Sequence, residues 1–180
     1  MKLVILDRDG VINFDSSQFI KTPAEWKPIP GSLEAIARLT QAGYRVVVAT
    51  NQSGVGRGLF EMDTLNAIHE KMHQAIRTIG GRIDAIFYCP HAAEADCECR
   101  KPKTGMFRRI STSLNVNLAG VPAIGDSLRD LQAAAASGCK PLLVRTGKGE
   151  KTLAEDNLPE GTEHFADLAE AVNWLLTEQS

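Results

Sequence analysis

Five short, almost uninterrupted apolar runs punctuate the chain: KLVIL (2–6), YRVVVAT (44–50), AIFYC (85–89), VPAIG (121–125) and PLLVR (141–145). Runs of this length without polar alternation fit strands buried on both faces, as in a parallel sheet covered by helices. Between them apolar residues recur every three or four positions. Leu33, Ile36, Ala37 and Leu39 share a helical face after the start signal Pro30-Gly31-Ser32, and Met62, Leu65, Ile68, Met72, Ala75 and Ile79 make a longer stripe. The same spacing returns in Phe107, Ile110 and Leu114, in Leu128, Leu131 and Ala135, and in Leu168, Val172, Leu175 and Leu176. Such stripes are core faces. Gly43, Gly80 and Gly138 follow three of the segments as C-cap candidates.

Strands alternating with helices predict an α/β fold, a doubly wound and mainly parallel sheet. In such a sheet ligands bind beyond the carboxyl ends of the strands, which tells where chemistry should lie. A chain of 180 residues can bury a core without a disulfide or metal staple, and no repeat, low-complexity tract or linker divides it. One domain, 1–180, is expected.

Composition narrows the choice of partner. Twenty basic residues against 22 acidic ones give no overall field to hold nucleic acid or an anionic membrane. The opening MKLVILDRDG has four apolar residues before an Asp, too few for a secretory leader, and no stretch is long enough to span a bilayer. A cytoplasmic protein is expected, and nothing in the sequence requires an oligomer, so a monomer is the expectation. Any anionic ligand must be held by a few placed residues.

The strand ends supply them. The first run closes in Asp7-Arg8-Asp9-Gly10 and the fourth in Gly125-Asp126, with Asp130 shortly after. Two aspartates in a turn are ordinary. Their place after a buried run, with further carboxylates at the end of another, instead suggests a cation among them. Oxygen ligands suit Mg2+, which commonly joins carboxylates to a substrate phosphate. The second run ends Ala49-Thr50-Asn51-Gln52-Ser53-Gly54, whose hydroxyls, amides and backbone N–H groups can meet phosphate oxygens. It is neither a Walker A loop nor a GxGxxG fingerprint.

DRDG at 7–10, TNQS at 50–53, RKPKTGM at 100–106 and GDSLRD at 125–130 resemble, in order, the four motifs of the haloacid-dehalogenase superfamily of phosphatases. The resemblance covers nearly the whole chain. It implies that Asp7 is a nucleophile forming an aspartyl phosphate, and that Asp9 protonates the leaving alcohol and then deprotonates water. It further implies that Asp7, the Asp9 carbonyl and Asp126 hold Mg2+, that Thr50 donates to the phosphoryl group, and that a lysine offsets transition-state charge. Asp130 would orient that lysine or a metal-bound water. Related phosphotransferring ATPases resemble the pattern with Thr in place of Asp9, so water is the expected acceptor here.

Three of the four cysteines and one histidine fall within 89–99. Cys89, His91, Cys97 and Cys99 match the donor set of a closed tetrahedral Zn2+ site, though not the spacing of a zinc finger; free thiols beside a surface histidine are the lesser alternative, since three cysteines fall within eleven positions. Cys139 reads as a small buried side chain. His69 and His73, four apart on a predicted helix, read as an exposed face, and His164 has no partner in sequence.

A Cys-x-His…Cys-x-Cys loop running into Arg-Lys-Pro resembles one branch of the superfamily, the D,D-heptose 1,7-bisphosphate phosphatases and the related histidinol-phosphate phosphatases. That resemblance implies a capless domain, a structural Zn2+, Lys101 as the catalytic lysine and Arg100 as a catalytic and substrate contact, with Lys103 the competing choice. It implies a small phosphorylated sugar as substrate, on the route to nucleotide-activated heptose for lipopolysaccharide, or else histidinol phosphate. Without a cap, selection falls to loops: Asp15, Ser16, Ser17 and Gln18, then Thr50, Asn51, Gln52 and Ser53, then Arg100 and Lys101. The heptose enzymes typically carry Gly-Tyr where this chain has Ser17-Gln18. A non-catalytic phosphate- or zinc-binding module and a phosphotransferase are the other readings.

Overall fold

The computed structural model describes residues 1–178. Six strands form one parallel sheet: β1 (Lys2–Leu6), β2 (Tyr44–Asn51), β3 (Ala85–Cys89), β4 (Pro122–Gly125), β5 (Lys140–Val144) and β6 (Glu163–Phe165), in the order β3-β2-β1-β4-β5-β6. The five predicted strands are present within a residue or so of their expected bounds. β6 was not predicted: EHF at 163–165 has one buried residue, too little apolar signal to distinguish it from loop.

The helices are α1 (Ser32–Gln41), α2 (Ser53–Gly56), α3 (Met62–Thr78), α4 (Gly105–Leu114), α5 (Leu128–Ala136), α6 (Gly149–Ala154) and α7 (Leu168–Glu178). All five predicted helical stripes are found. Short α2 and α6 were not anticipated, since one turn or so of helix carries no readable period. Two stripe residues depart from their expected place: Ile79 caps α3 and is 38% exposed, and Ala135 is exposed because α5 turns Leu131, Ala133 and Ala134 inward instead. Gly43, Gly80 and Gly138 all have the left-handed backbone of C-caps.

Alternate side chains of each central strand feed opposite faces, which gives two cores. Val4, Leu6, Val46 and Val48 pack with Ile36 and Leu39 of α1, Ile68 and Met72 of α3 and Val172 of α7. Leu3, Ile5, Val47 and Ala49 pack with Met106, Phe107 and Ile110 of α4 and Ala133 and Ala134 of α5. Burial on both faces requires the continuous apolar runs seen in the sequence. The expectation of a fully buried strand is corrected at β3, where Ala85, Ile86 and Tyr88 are half-buried because the strand lies at the sheet edge.

β1 occupies the middle of the sheet, between β2 and β4, and the order reverses around it. The carboxyl ends of β1, β2 and β4 therefore open side by side. Residues 7–43, between β1 and β2, contain a 3-10 turn (Pro23–Glu25) and α1 as their helical elements. No helix among the described residues is long and apolar enough to cross a membrane.

Candidate active site

β1 delivers Asp7 to the sheet's carboxyl edge, where its N–H donates to the Ile124 carbonyl of β4 (2.9 Å). The chain then turns so sharply that the N–H groups of Val11, Ile12 and Asn13 all reach the Arg8 carbonyl. Gly10 makes the turn possible. Its φ is +85°, and a Cβ there would lie 2.0 Å from Asp126 Oδ2. Gly125 brings the fourth motif equally close, because a Cβ at that position would meet Asp130 Cβ at 2.3 Å.

One oxygen each from Asp7, Asp126 and Asp130 lies within 4.8 Å of the others. Lys101, 2% exposed, reaches across to this group: its Nζ is 2.7 Å from Asp130 Oδ1, 3.2 Å from Asp7 Oδ1 and donates to the Ala49 carbonyl at 2.8 Å. Asp130 is thereby saturated, since Oδ2 accepts from the N–H groups of Asp126 (3.2 Å) and Ser127 (3.1 Å). Burial pushes the Asp130 carboxyl up, but Lys101 and these donors override it and hold the group down to about 2. The same two carboxylates outweigh burial at Lys101 and raise its ammonium pKa. Lys103 lies elsewhere, largely exposed and 3.1 Å from Asp96 and 3.7 Å from Glu98.

The other two carboxyls behave differently. Burial, then Asp130, pushes Asp7 up to about 7, and burial with Asp130 and Asp7 pushes Asp126 up to about 9. A single ammonium cannot offset three clustered carboxylates. A divalent cation fits the remaining deficit: Asp7 and Asp126 each use one oxygen toward protein donors, Oδ1 toward the Arg8 N–H and Lys101 and Oδ2 toward the Lys148 N–H, and each has a second oxygen to offer. Asp130, by contrast, has both oxygens engaged.

Asp9 stands beside this group. Its Oδ1 accepts from Arg8 Nε (2.8 Å) and Asn13 Nδ2 (2.9 Å), and its Oδ2 from Gln52 Nε2 (3.2 Å). Burial alone pushes the carboxyl up, and Arg8 together with these donors outweighs it, leaving the pKa below the ordinary carboxylate value.

Asp7, Asp9, Lys101, Asp126 and Asp130 line a cleft of about 270 Å³ at the carboxyl edge of the sheet. Asp15, Ser16, Ser17, Thr50, Asn51, Gln52, Ser53 and Arg100 also line it, so the sequence-derived set largely converges. Gln18 does not: it borders a neighbouring depression with Phe14 and Lys21. Asn51 and Gln52 reach the cleft with their amides already engaged. Asn51 Oδ1 accepts from the Lys101 N–H (3.0 Å) and Nδ2 donates to the Lys101 carbonyl (3.1 Å), a two-bond clamp on that residue's backbone. Gln52 bonds Asp9, Arg8 and Thr50.

Five lining residues were missed: Phe19, Arg57, Ser127, Arg129 and Lys148. Lys148 follows β5 and Arg129 lies within GDSLRD, so the rule that ligands bind beyond strand ends pointed to both. Arg57 had no signal, because nothing local says which way α2 turns. Arg100, Arg57 and Arg129 share the cleft wall, and Arg100 Nη1 is buried without a partner among the described residues. Burial, then Arg129 and Arg57, works against the Arg100 charge, an environment suited to an anion.

Cys89 ends β3, and Cys89, His91, Cys97 and Cys99 place their donor atoms within 4.8 Å of one another, with no disulfide between them. His91 Nδ1 is 3.5 Å from Cys89 Sγ and 3.3 Å from Cys99 Sγ, and Cys97 Sγ is 3.5 Å from Cys89 Sγ. Three thiols and one imidazole converging on a common point fit a four-coordinate metal better than free thiols at a surface. The loop is tied on both sides: Gln52 N–H donates to the Cys89 carbonyl and Gly105 N–H to the Glu98 carbonyl. Cys139 is buried as expected.

The histidine expectation is corrected. His69 is 6% exposed and its Nε2 lies 3.1 Å from Arg8 Nη1, because α3 packs its 65, 68, 69, 72 and 76 positions inward and the polar His69 falls at the height of the cleft.

A family model described as HAD-hydrolase-like matches residues 98–171, and one described as polynucleotide kinase 3 phosphatase matches residues 2–126. The D-glycero-beta-D-manno-heptose-1,7-bisphosphate 7-phosphatase of Bordetella bronchiseptica is 62% identical over 178 residues, 99% of each chain. The crystal structure of the B. bronchiseptica D,D-heptose 1,7-bisphosphate phosphatase, complexed with magnesium and phosphate, superposes with a TM-score of 0.98 over 99% of both chains. The D,D-heptose 1,7-bisphosphate phosphatase of Burkholderia thailandensis is 54% identical, with a TM-score of 0.80 over 98% of this chain and 99% of that one. With the four motifs gathered at one sheet edge and this degree of full-length identity, the chain is a HAD-like phosphatase and belongs to the D-glycero-beta-D-manno-heptose-1,7-bisphosphate 7-phosphatase family.

Proposed function

We propose that this phosphatase removes the C7 phosphate of D-glycero-D-manno-heptose 1,7-bisphosphate, as one capless, monomeric, cytoplasmic domain acting on a small phosphorylated sugar, with no nucleic-acid or membrane partner. The observation that carries the reading is full-length identity of 62% to a relative of that name, together with a cleft that offers two places for negative charge. One is the carboxylate–lysine group. The other is the wall of Arg57, Arg100 and Arg129, suited to the phosphate that stays on the sugar.

Asp7 is the nucleophile, and its attack on phosphorus expels the C7 alkoxide as the aspartyl phosphate forms. Asp9 donates the proton that the alkoxide takes, then accepts one from the water that cleaves the acyl phosphate. In the free protein its carboxyl is held ionised, the form needed for the second step. An arriving phosphoryl dianion adds like charge beside it and favours the protonated form needed for the first. Lys101 and Thr50 face the phosphoryl oxygens, and Asn51 fixes the backbone that carries Lys101. Asp7, Asp126 and the Asp9 carbonyl are the residues that would hold Mg2+, which supplies charge neutralisation between nucleophile and phosphate. Asp130 stays off the cation and orients Lys101.

Steady-state phosphate release tests the substrate assignment. Heptose 1,7-bisphosphate should be hydrolysed with the highest kcat/KM and leave the 1-phosphate as product. Turnover of histidinol phosphate in its place would sink the heptose reading, which is why that compound belongs in the panel.

Cys89, His91, Cys97 and Cys99 hold a structural Zn2+ that braces the segment leading into Arg100 and Lys101. Purified protein should contain about one equivalent of zinc per chain. Cys97→Ser should lower the thermal midpoint by roughly 5–10 °C and reduce kcat, while the magnesium dependence of activity stays unchanged. A zinc-free protein with full activity would end the proposal.

A further inference from the structure

Arg8 and His69 have no part in the chemistry described so far, yet both are buried at the back of Asp9. Arg8, 0% exposed, donates Nε–H to Asp9 Oδ1 (2.8 Å) and Nη2–H to Gln52 Oε1 (3.2 Å), while Nη1 meets His69 Nε2 (3.1 Å). A guanidinium has donors and no acceptors, so His69 must accept at Nε2. That fixes the imidazole as neutral with its proton on Nδ1. Burial, then the Arg8 charge, pushes the His69 pKa down to about 3, which keeps it so.

The same polarity rule runs on to Gln52. Because Oε1 must face Arg8, Nε2 must face Asp9 Oδ2 (3.2 Å) and Thr50 Oγ1 (2.9 Å). One accepting nitrogen on α3 therefore sets the plane of the guanidinium, the guanidinium sets the amide, and the two together hold both Asp9 oxygens. Removing the acceptor leaves a buried N–H unpaired, which costs more than the bond itself contributes, and the fork relaxes to find another partner.

We propose that His69 is a positioning residue for proton transfer by Asp9, acting through Arg8 and Gln52 to fix the rotation of the Asp9 carboxyl toward the leaving oxygen. This rests on the acid/base role of Asp9 given above. A rotated acid harms the expulsion of an alkoxide far more than that of a phenolate that leaves without a proton.

The test compares kcat/KM, which reports the first half-reaction, on heptose 1,7-bisphosphate and on p-nitrophenyl phosphate. His69→Phe keeps a ring of similar shape without an acceptor, and His69→Gln restores a neutral acceptor. His69→Phe should lower kcat/KM on the heptose ester about tenfold and on the aryl ester less than about threefold, with His69→Gln within about threefold of the parent on both. Should His69→Phe fail to fold, His69→Met, which keeps bulk with a weak acceptor, carries the same comparison. Asp9→Asn is the control and should show a larger, equally selective loss. If Asp9→Asn is selective while the His69 variants lose both activities equally or neither, the positioning role is overturned. If Asp9→Asn itself is unselective, the acid role of Asp9 falls, and the role of His69 falls with it.

Discussion

Asp7→Asn is expected to abolish turnover, by a factor on the order of 10^4 to 10^6, without loss of stability. An amide has no charge to attack phosphorus with, and no other group in the cleft stands where Asp7 stands. The stability half of the expectation follows from electrostatics. Burial, Asp130 and Asp9 all oppose ionisation of Asp7, so the native fold carries this carboxyl against its own preference. An amide of nearly the same shape removes one member of the cluster, lowers the pressure on Asp126 and should raise the thermal midpoint of the metal-free protein. Residual steady-state turnover near the parent value would refute the covalent mechanism. A lower midpoint would instead mean that the Asp7–Lys101 contact contributes more than the repulsion costs.

Lys101→Met is expected to have the second-largest effect and to act on both activity and stability. The ammonium is a buried cation between Asp7 and Asp130, so its loss leaves two buried carboxylates without their partner. Breaking such a group from one side costs about 3–5 kcal/mol, and removing one charge-stabilising donor typically lowers kcat by about 10^2–10^3-fold. Lys103→Met should leave both readings close to the parent, since Lys103 reaches Asp96 and Glu98 at the surface. Parallel melts and kcat measurements on the two variants separate the neighbours, and equal effects would show that Lys101 is not the catalytic lysine. Acid stability adds an independent mark. The Asp130 carboxyl is held to about 2, so its contribution is present above its unfolded value near 4 and is lost as pH falls through 2. Without Lys101 that contribution should shrink to what the Asp126 and Ser127 N–H donors retain, flattening the melt-versus-pH curve between about pH 4 and pH 2.

Much of the molecule could be read from residue order because the features concerned are local or periodic. Strands buried on two faces have to be continuously apolar, and helices packed on one face have to repeat every three to four residues, so β1, β2, β4, β5 and the longer helices declared themselves. Short elements with little buried surface, β6, α2 and α6, did not. The catalytic candidates were legible for a related reason: Asp7 and Asp126 follow directly on β1 and β4, Thr50 lies at the end of β2, Asp9 and Asp130 come within a few residues of a strand end, and the fold rule says where strand ends lead. Lys101 and Lys103 could not be separated this way, being two residues apart in a loop. Packing separates them, since one points under the sheet edge and the other into solvent.

Residue order also determined the donor set at Cys89, His91, Cys97 and Cys99 and the two-core α/β layout, because composition and period suffice for those. Tertiary structure alone decided the rest. It turned His69 inward against Arg8, committed Asn51 to the Lys101 backbone, kept Gln18 out of the main cleft and assembled Arg57, Arg100 and Arg129 into one wall. Each of these depends on which way a side chain or short helix faces across distances that no local period encodes. For His69 the reason is specific: a neutral imidazole on an otherwise apolar helix face is stable in the interior only when a donor waits opposite, and that donor is Arg8 in the turn after β1, far away in sequence and adjacent in space.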